Sequence, residues 1–315
     1  MEKALIIIPD NNKGKFISKG YSAAFKELSY FVIEKKIYDL NSNEINKLSP
    51  DLIFIFWSGL TQTDNIKTLI DNYFIKETIF IHCAEYAKEI PDIYKGMSFH
   101  YAFTSDSKNK KNKVIPAISY KKYKTKFNGY KYNIVYTGNP AITHREEILS
   151  KVIYNFGTIN IFCRSFDFYK SVDEIYNQKL LDEYYIELYK QSYKGYVETQ
   201  KELAEIYSSA KINLNIQNSQ YKSINYRTLE ILASGGFAMS EYNKDIVKYF
   251  DDGKDIETFK SSDELTDKIS FYLKNLNIAQ MISLRGRKNV ASNFSFYDRL
   301  KSMLKVIYGK DISSR

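Results

Sequence analysis

A chain of 315 residues, 44% hydrophobic and 26% charged, holds enough apolar material for two α/β cores and is too long for one ordinary domain. No apolar run approaches the ~20 residues that cross a bilayer, and the run Ala4–Ile8 is too short for a signal peptide and lacks a cleavage site, so a cytoplasmic protein is expected. The net charge of +9 comes without a helix-turn-helix, zinc or RNA-recognition signature, which argues against a nucleic-acid partner.

The lysines cluster at Lys108, Lys110, Lys111 and Lys113, and again at Lys121, Lys122, Lys124 and Lys126. They read as a solvated face, or as attraction to phosphorylated ligands or to the anionic inner face of a membrane. Cys83 and Cys163 lie in different halves at the ends of apolar runs, as buried free thiols do.

In chain order, Leu5–Ile8 reads as a buried strand, followed by a glycine-bearing loop over Asn11–Gly20 and a helix over Tyr21–Leu28. Leu52–Trp57 is a continuous apolar strand closed by Ser58-Gly59; Ile66–Tyr73 is helical and Thr78–His82 a third strand. Tyr101–Thr104 and Val114–Ile115 complete the first half as two short strands. Continuous apolar strands separated by helices indicate a parallel sheet covered on both faces. The polar, lysine-rich stretch Ser119–Tyr132 reads as a linker.

The pattern restarts with the strand Asn133–Tyr136 and the loop Thr137-Gly138-Asn139-Pro140. Thr143 and Glu146 have capping-box spacing at a helix start. A strand at Ile159–Cys163 precedes a long helical stretch, Val172–Tyr193, and the amphipathic helix Glu198–Ala210 precedes the strand Ile212–Ile216. Asn225–Ala233 is helical and stops at Gly235-Gly236; Phe237–Ser240 returns as a strand. Three helices end the chain: one capped by Ser261 and Glu264, one before Phe294, and Ser295–Ile307 with an apolar stripe at Phe296, Leu300, Leu304 and Ile307. The expected domains are 1–127, 128–293 and a terminal helix, 294–315, that either crosses back to the first domain or completes the core of the second.

The order of features after Thr137 is the informative one: Thr137-Gly138-Asn139, Arg145 and Leu149, a helix–strand unit, Asn225-x-Arg227-x-x-Glu230-x-x-Ala233-x-Gly235, then Asp251-Asp252-Gly253. This resembles the C-terminal domain of GT-B glycosyltransferases, in the branch related to the spore maturation protein CgeB, over about the last 180 residues. The resemblance implies two doubly wound Rossmann-like domains and a nucleotide-sugar donor held in the second. It further implies a glycan, lipid-linked or protein acceptor, and neither metal nor cofactor. Within it, the position of Glu230 binds the donor ribose. A second glutamate eight residues earlier is frequent in retaining relatives; Lys222 stands there instead, a donor-side candidate of opposite charge.

The residues suit that chemistry. An ionised carboxylate only accepts hydrogen bonds and can take both ribose hydroxyls. Arg227, three residues before Glu230 on the same helical face, could meet the charge that develops on the diphosphate, although such spacing also describes a surface ion pair. Gly138 and Asn139, ahead of a helix start, could offer backbone amides, with Arg145 adding charge.

No Asp-x-Asp motif is present, and Asp251-Asp252 reads as loop punctuation. In the first half, His82 at a strand end and Glu85 three residues on are the candidate acceptor bases; a strand-end histidine bonded to backbone is the competing reading of His82. Asp10 and its loop follow the first strand, where an acceptor would sit. Two alternatives stand beside the transferase: a GT-B-fold sugar-nucleotide epimerase, and a non-catalytic sugar-nucleotide-binding or spore-surface protein.

Overall fold

A computed structural model describes residues 1–9, 12–36, 39, 47–57, 78–84, 100–104, 113–217 and 223–309. The chain divides into two compact units, Met1–Ile118 with Phe294–Arg315, and Ser119–Asn293. Several sequence expectations concern residues outside the described ones: Asp10, Asn11, Ser58-Gly59, the helix Ile66–Tyr73, Glu85, Lys108, Lys110, Lys111 and Lys222.

The first unit begins β1 (Lys3–Ile8), α1 (Asn12–Glu27), β2 (Phe31–Lys36), β3 (Leu52–Trp57), β4 (Ile79–Ala84) and β5 (His100–Thr104). The strands form one parallel sheet in the order β2-β1-β3-β4-β5. Leu5, Ile6, Leu52 and Phe54 are wholly enclosed, as continuous apolar strands must be when helices cover both faces.

Two features of this unit depart from the sequence reading. β2 has no counterpart in it: it is an edge strand carrying Glu34, Lys35 and Lys36, and charge on an edge blunts unwanted pairing while hiding the strand from an apolar search. From Asn12 to Gly20 the expected loop is instead the start of α1. Gly20 is needed for packing rather than turning, since a Cβ there would run into the Phe296 ring. Val114–Ile115 forms no strand; Lys113 makes a single bridge to Thr104.

The second unit opens with α2 (Tyr120–Tyr123), β6 (Tyr132–Thr137), α3 (Thr143–Phe156), β7 (Asn160–Phe162), α4 (Ser165–Asn177), α5 (Glu183–Gln191), α6 (Gln200–Ser208) and β8 (Ala210–Asn215). It continues through α7 (Tyr226–Ala233), β9 (Ala238–Glu241), α8 (Ile246–Tyr249), β10 (Glu257–Phe259), α9 (Ser262–Lys274) and α10 (Leu276–Asn293). Its sheet is parallel in the order β10-β9-β8-β6-β7.

Local chemistry explains the boundaries. Ser261 Oγ accepts from Glu264 N at 3.2 Å, the expected cap of α9. Thr199 and Glu202 form a full capping box on α6. The Thr143/Glu146 box does not form: Ile142 is the N-cap, without a side-chain bond, and Glu146 turns into the core at 1% exposure. Its carboxyl is pushed up to about 7, first by burial and then by the charge of Glu174. The single helix expected over Val172–Tyr193 is two, broken where Lys179 takes φ +53° and Asp182 caps α5.

Ser119–Tyr132 is no linker. Tyr123 is fully enclosed, and the stretch belongs to the second unit, which places Lys121, Lys122, Lys124 and Lys126 there as well. The unit boundary therefore falls after Ile118, whose amide donates to Phe294 O at 2.8 Å where the chain re-enters the first unit. The last helix, α11 (Phe296–Tyr308), then packs on α1, burying Phe296, Leu300, Met303 and Leu304. Phe296 meets Tyr21 edge-on, ring centroids 4.9 Å apart. Cys83 and Cys163 are free and buried. No helix among the described residues is long and apolar enough to cross a membrane.

Candidate functional site

In the second sheet, β7 lies on one side of β6 while β8, β9 and β10 follow on the other. Connections leave β6 and β8 in opposite directions, and ligands of such sheets bind outside the carboxyl ends at that reversal. Thr137-Gly138 leaves β6 there and Ile216-Gln217 leaves β8.

Gly138 adopts φ +108°, a conformation open to glycine, and a Cβ on it would collide with the Arg227 guanidinium. Its amide donates to Phe162 O at 2.9 Å rather than standing open for a ligand, and Gly138 supplies room for Arg227. Arg227 lies over the Tyr136 ring, Cζ 5.4 Å from the centroid, and Nη1 reaches Ile216 O at 3.4 Å. Glu230, one turn along α7, takes a different partner, the Tyr123 hydroxyl at 2.9 Å. The two charged side chains thus face different neighbours while both act on Tyr207. Its hydroxyl is pushed well above the phenol range by burial and then by Glu230, with Arg227 opposing.

The loop after β6 is braced on all sides. Asn139 O accepts from Tyr136 Oη at 3.0 Å and from Arg145 Nη1 at 2.9 Å, Asn139 Oδ1 accepts from Ala141 N at 2.7 Å, and Thr137 Oγ1 is 2.6 Å from Tyr207 Oη. Arg145 therefore sits largely buried, with its guanidinium on the loop. Asn225 caps α7 by accepting from Thr228 N at 2.9 Å, and its Nδ2 donates to Asn215 Oδ1 at 3.0 Å. Asn215 Nδ2 in turn donates to Thr228 Oγ1 and Ser240 Oγ, each at 2.9 Å, so a buried polar network fixes α7 over the ends of β8 and β9. At the β9 end, Glu241 pairs with His144 Nε2 at 2.7 Å and accepts from Gln217 N at 3.0 Å.

The sequence brought forward Gly138, Asn139, Arg145, Asn225, Arg227 and Glu230, and the structure gathers them at one end of one sheet. It missed Tyr123, Tyr136, Tyr207, Asn215 and Glu241. Asn213 and Asn215 within an apolar strand were a usable signal, because amides in a buried strand must be hydrogen-bonded to something specific. Asp252 accepts from Thr258 N at 2.8 Å and Thr258 Oγ1 at 2.7 Å, and Gly253 turns at φ +72°, which is loop punctuation as read.

In the first unit, His82 does not close its strand. β4 runs on to Ala84, and His82 lies within it at 0% exposure, edge-on to Phe80. Enclosed inside the strand, the imidazole packs the core, which disfavours it as an acceptor base.

No curated protein matches the sequence. Among solved structures, a glycosyltransferase from Rickettsia africae shares 12% identity with TM-score 0.65, over 100% of this chain and 99% of its own. Sucrose-phosphate synthase from Thermosynechococcus elongatus shares 9% identity with TM-score 0.68, over 98% and 99%. Anabaena HepE, in complex with UDP, shares 9% with TM-score 0.65, over 98% and 100%. At such identities the likeness establishes the fold, which is the GT-B fold of two parallel α/β domains. The sequence itself matches the family described as "Glycosyl transferase-like" over residues 145–305, just over half of the chain. The chain belongs to that glycosyl transferase-like family.

Proposed function

We propose that the second unit binds a nucleotide-sugar donor and that the protein transfers its sugar to a glycan, lipid-linked or protein acceptor during surface-glycan synthesis, as a member of the CgeB-like branch. The observation that carries this reading is the placement of Arg227 against Gly138, Tyr136 and Ile216 with Glu230 one turn away, at the sheet reversal. Glu230 accepts the ribose hydroxyls. Arg227, half-buried and held by an aromatic face, meets the negative charge that grows on the departing diphosphate. Arg145 acts through the loop it braces. Glu85 remains the acceptor-base candidate of the first unit. A UDP complex of one structural neighbour and a UDP-glucose complex of the same protein make uridine donors the first to test.

The test is donor hydrolysis without acceptor, following free sugar and nucleoside diphosphate from UDP-, GDP-, dTDP- and ADP-sugars. Release by the wild type and its loss in Glu230→Gln, at unchanged melting temperature, is expected. A charge-assisted hydrogen bond is worth about 1.5–3 kcal/mol, so donor affinity should fall by at least tenfold. Equal release by both proteins refutes the assignment of Glu230.

A further inference from the structure

Tyr123 stands in a lysine run, yet it is wholly enclosed while Lys121, Lys122, Lys124 and Lys126 around it are exposed. Its hydroxyl donates to Glu230 Oε1 at 2.9 Å and lies 3.4 Å from Gln200 Nε2, which donates to it. The capping box at Thr199 and Glu202 fixes the start of α6, and with it Gln200. The short segment bearing Tyr123 is itself fastened. Thr125 Oγ1 donates to Ser234 O at 3.0 Å, just beyond α7, while Arg287 Nε donates to Tyr120 Oη at 3.0 Å and Arg287 Nη2 to Thr125 O at 3.2 Å. Packing alone would be met by phenylalanine. What the hydroxyl adds is a fixed orientation of one carboxylate.

We propose that Tyr123 is a positioning residue for the donor site, holding the Glu230 carboxylate in the rotation that presents it to the two ribose hydroxyls. The inference rests on the reading of Glu230 as the ribose acceptor. A carboxylate has about four lone-pair sites and a vicinal diol needs two, so the bond from Tyr123 is compatible with a bound diol. The tyrosine bond restrains the carboxylate's terminal torsion, which is intrinsically broad. Burial, and then the charge of Glu230, hold the Tyr123 hydroxyl well above the phenol range, so it keeps its proton and always donates. The consequence is selectivity: Tyr123 should matter for nucleotides that carry the diol and be silent for those that lack it.

The experiment measures, by calorimetry, the affinity of the intact protein for whichever of UDP, GDP and ADP the wild type binds most tightly, and for its 2′,3′-dideoxy counterpart. The expected result is that Tyr123→Phe weakens the ribonucleotide by about tenfold and leaves the dideoxy form unchanged, so the ratio between the two collapses. In a Glu230→Gln background, Tyr123→Phe should add no further loss, because it acts through that carboxylate. Wild-type discrimination that survives intact in Tyr123→Phe, or a parallel loss for both nucleotides, overturns the positioning role alone. A wild type that does not distinguish the two forms, or binds neither, overturns the ribose reading of Glu230 and this inference with it.

Discussion

Replacing Gly138 with alanine tests whether the glycine exists to seat Arg227. Two costs are expected from the geometry. At φ +108° an alanine is strained by about 1–3 kcal/mol. Its Cβ would also overlap the end of the Arg227 guanidinium and lie 3.1 Å from Cζ, so the side chain must leave the Tyr136 face and the Ile216 carbonyl. Gly129→Ala separates the two effects: Gly129 has φ +94°, and a methyl there would meet nothing within 4 Å, so it carries the backbone strain without the displacement. Urea unfolding should therefore show both variants destabilised, Gly138→Ala the more. Calorimetry should show nucleoside diphosphate affinity kept in Gly129→Ala and reduced ~10- to 100-fold in Gly138→Ala, the worth of one charge-assisted bond to phosphate. If Gly138→Ala binds as Gly129→Ala does, Arg227 is not at the diphosphate.

Two further perturbations probe the scaffold. The Glu146 carboxyl, raised from 4.5 to about 7 on folding, binds its proton more tightly in the native state. Its contribution is complete below pH ~4.5 and is lost as pH rises through about 7, so Glu146→Gln should gain stability over the wild type at pH 8 and lose that advantage near pH 4.5; a pH-independent difference in urea midpoint contradicts the buried, neutral carboxyl. Truncation after Asn293 removes the buried side chains Phe296, Leu300, Met303 and Leu304 from the first unit, each worth about 1.5–3 kcal/mol. Limited proteolysis should then digest the first unit while nucleotide binding by the second persists; loss of nucleotide binding with the first unit intact contradicts this division.

How much was legible in the sequence depended on whether a residue announced itself locally. Leu52–Trp57 read correctly as a strand because burial on both faces demands an unbroken apolar run. The order of glycine loop, arginine, helix–strand unit and Asn-x-Arg-x-x-Glu located the candidate site, since Gly138, Asn139 and Arg145 form one short run and Asn225, Arg227 and Glu230 another, each legible locally. β2 was invisible because an edge strand tolerates Glu34 and Lys36. Gly20 misled because a glycine needed for a neighbouring ring, far away in sequence, looks like a glycine needed for a turn. Tyr123 was hidden for the same kind of reason: its partner is 107 residues away, and the lysines beside it set the character of the segment. Long-range polar contacts of single side chains leave no period to read.

A crystal structure of the protein with the nucleoside diphosphate it binds most tightly would show whether the donor sits where Arg227 and Glu230 place it. The nucleotide is expected at the carboxyl ends of β6 and β8, its ribose hydroxyls within hydrogen-bond reach of the Glu230 carboxylate and its phosphates facing Arg227. A nucleotide bound elsewhere, or one at this sheet end whose ribose and phosphates avoid both residues, contradicts that placement.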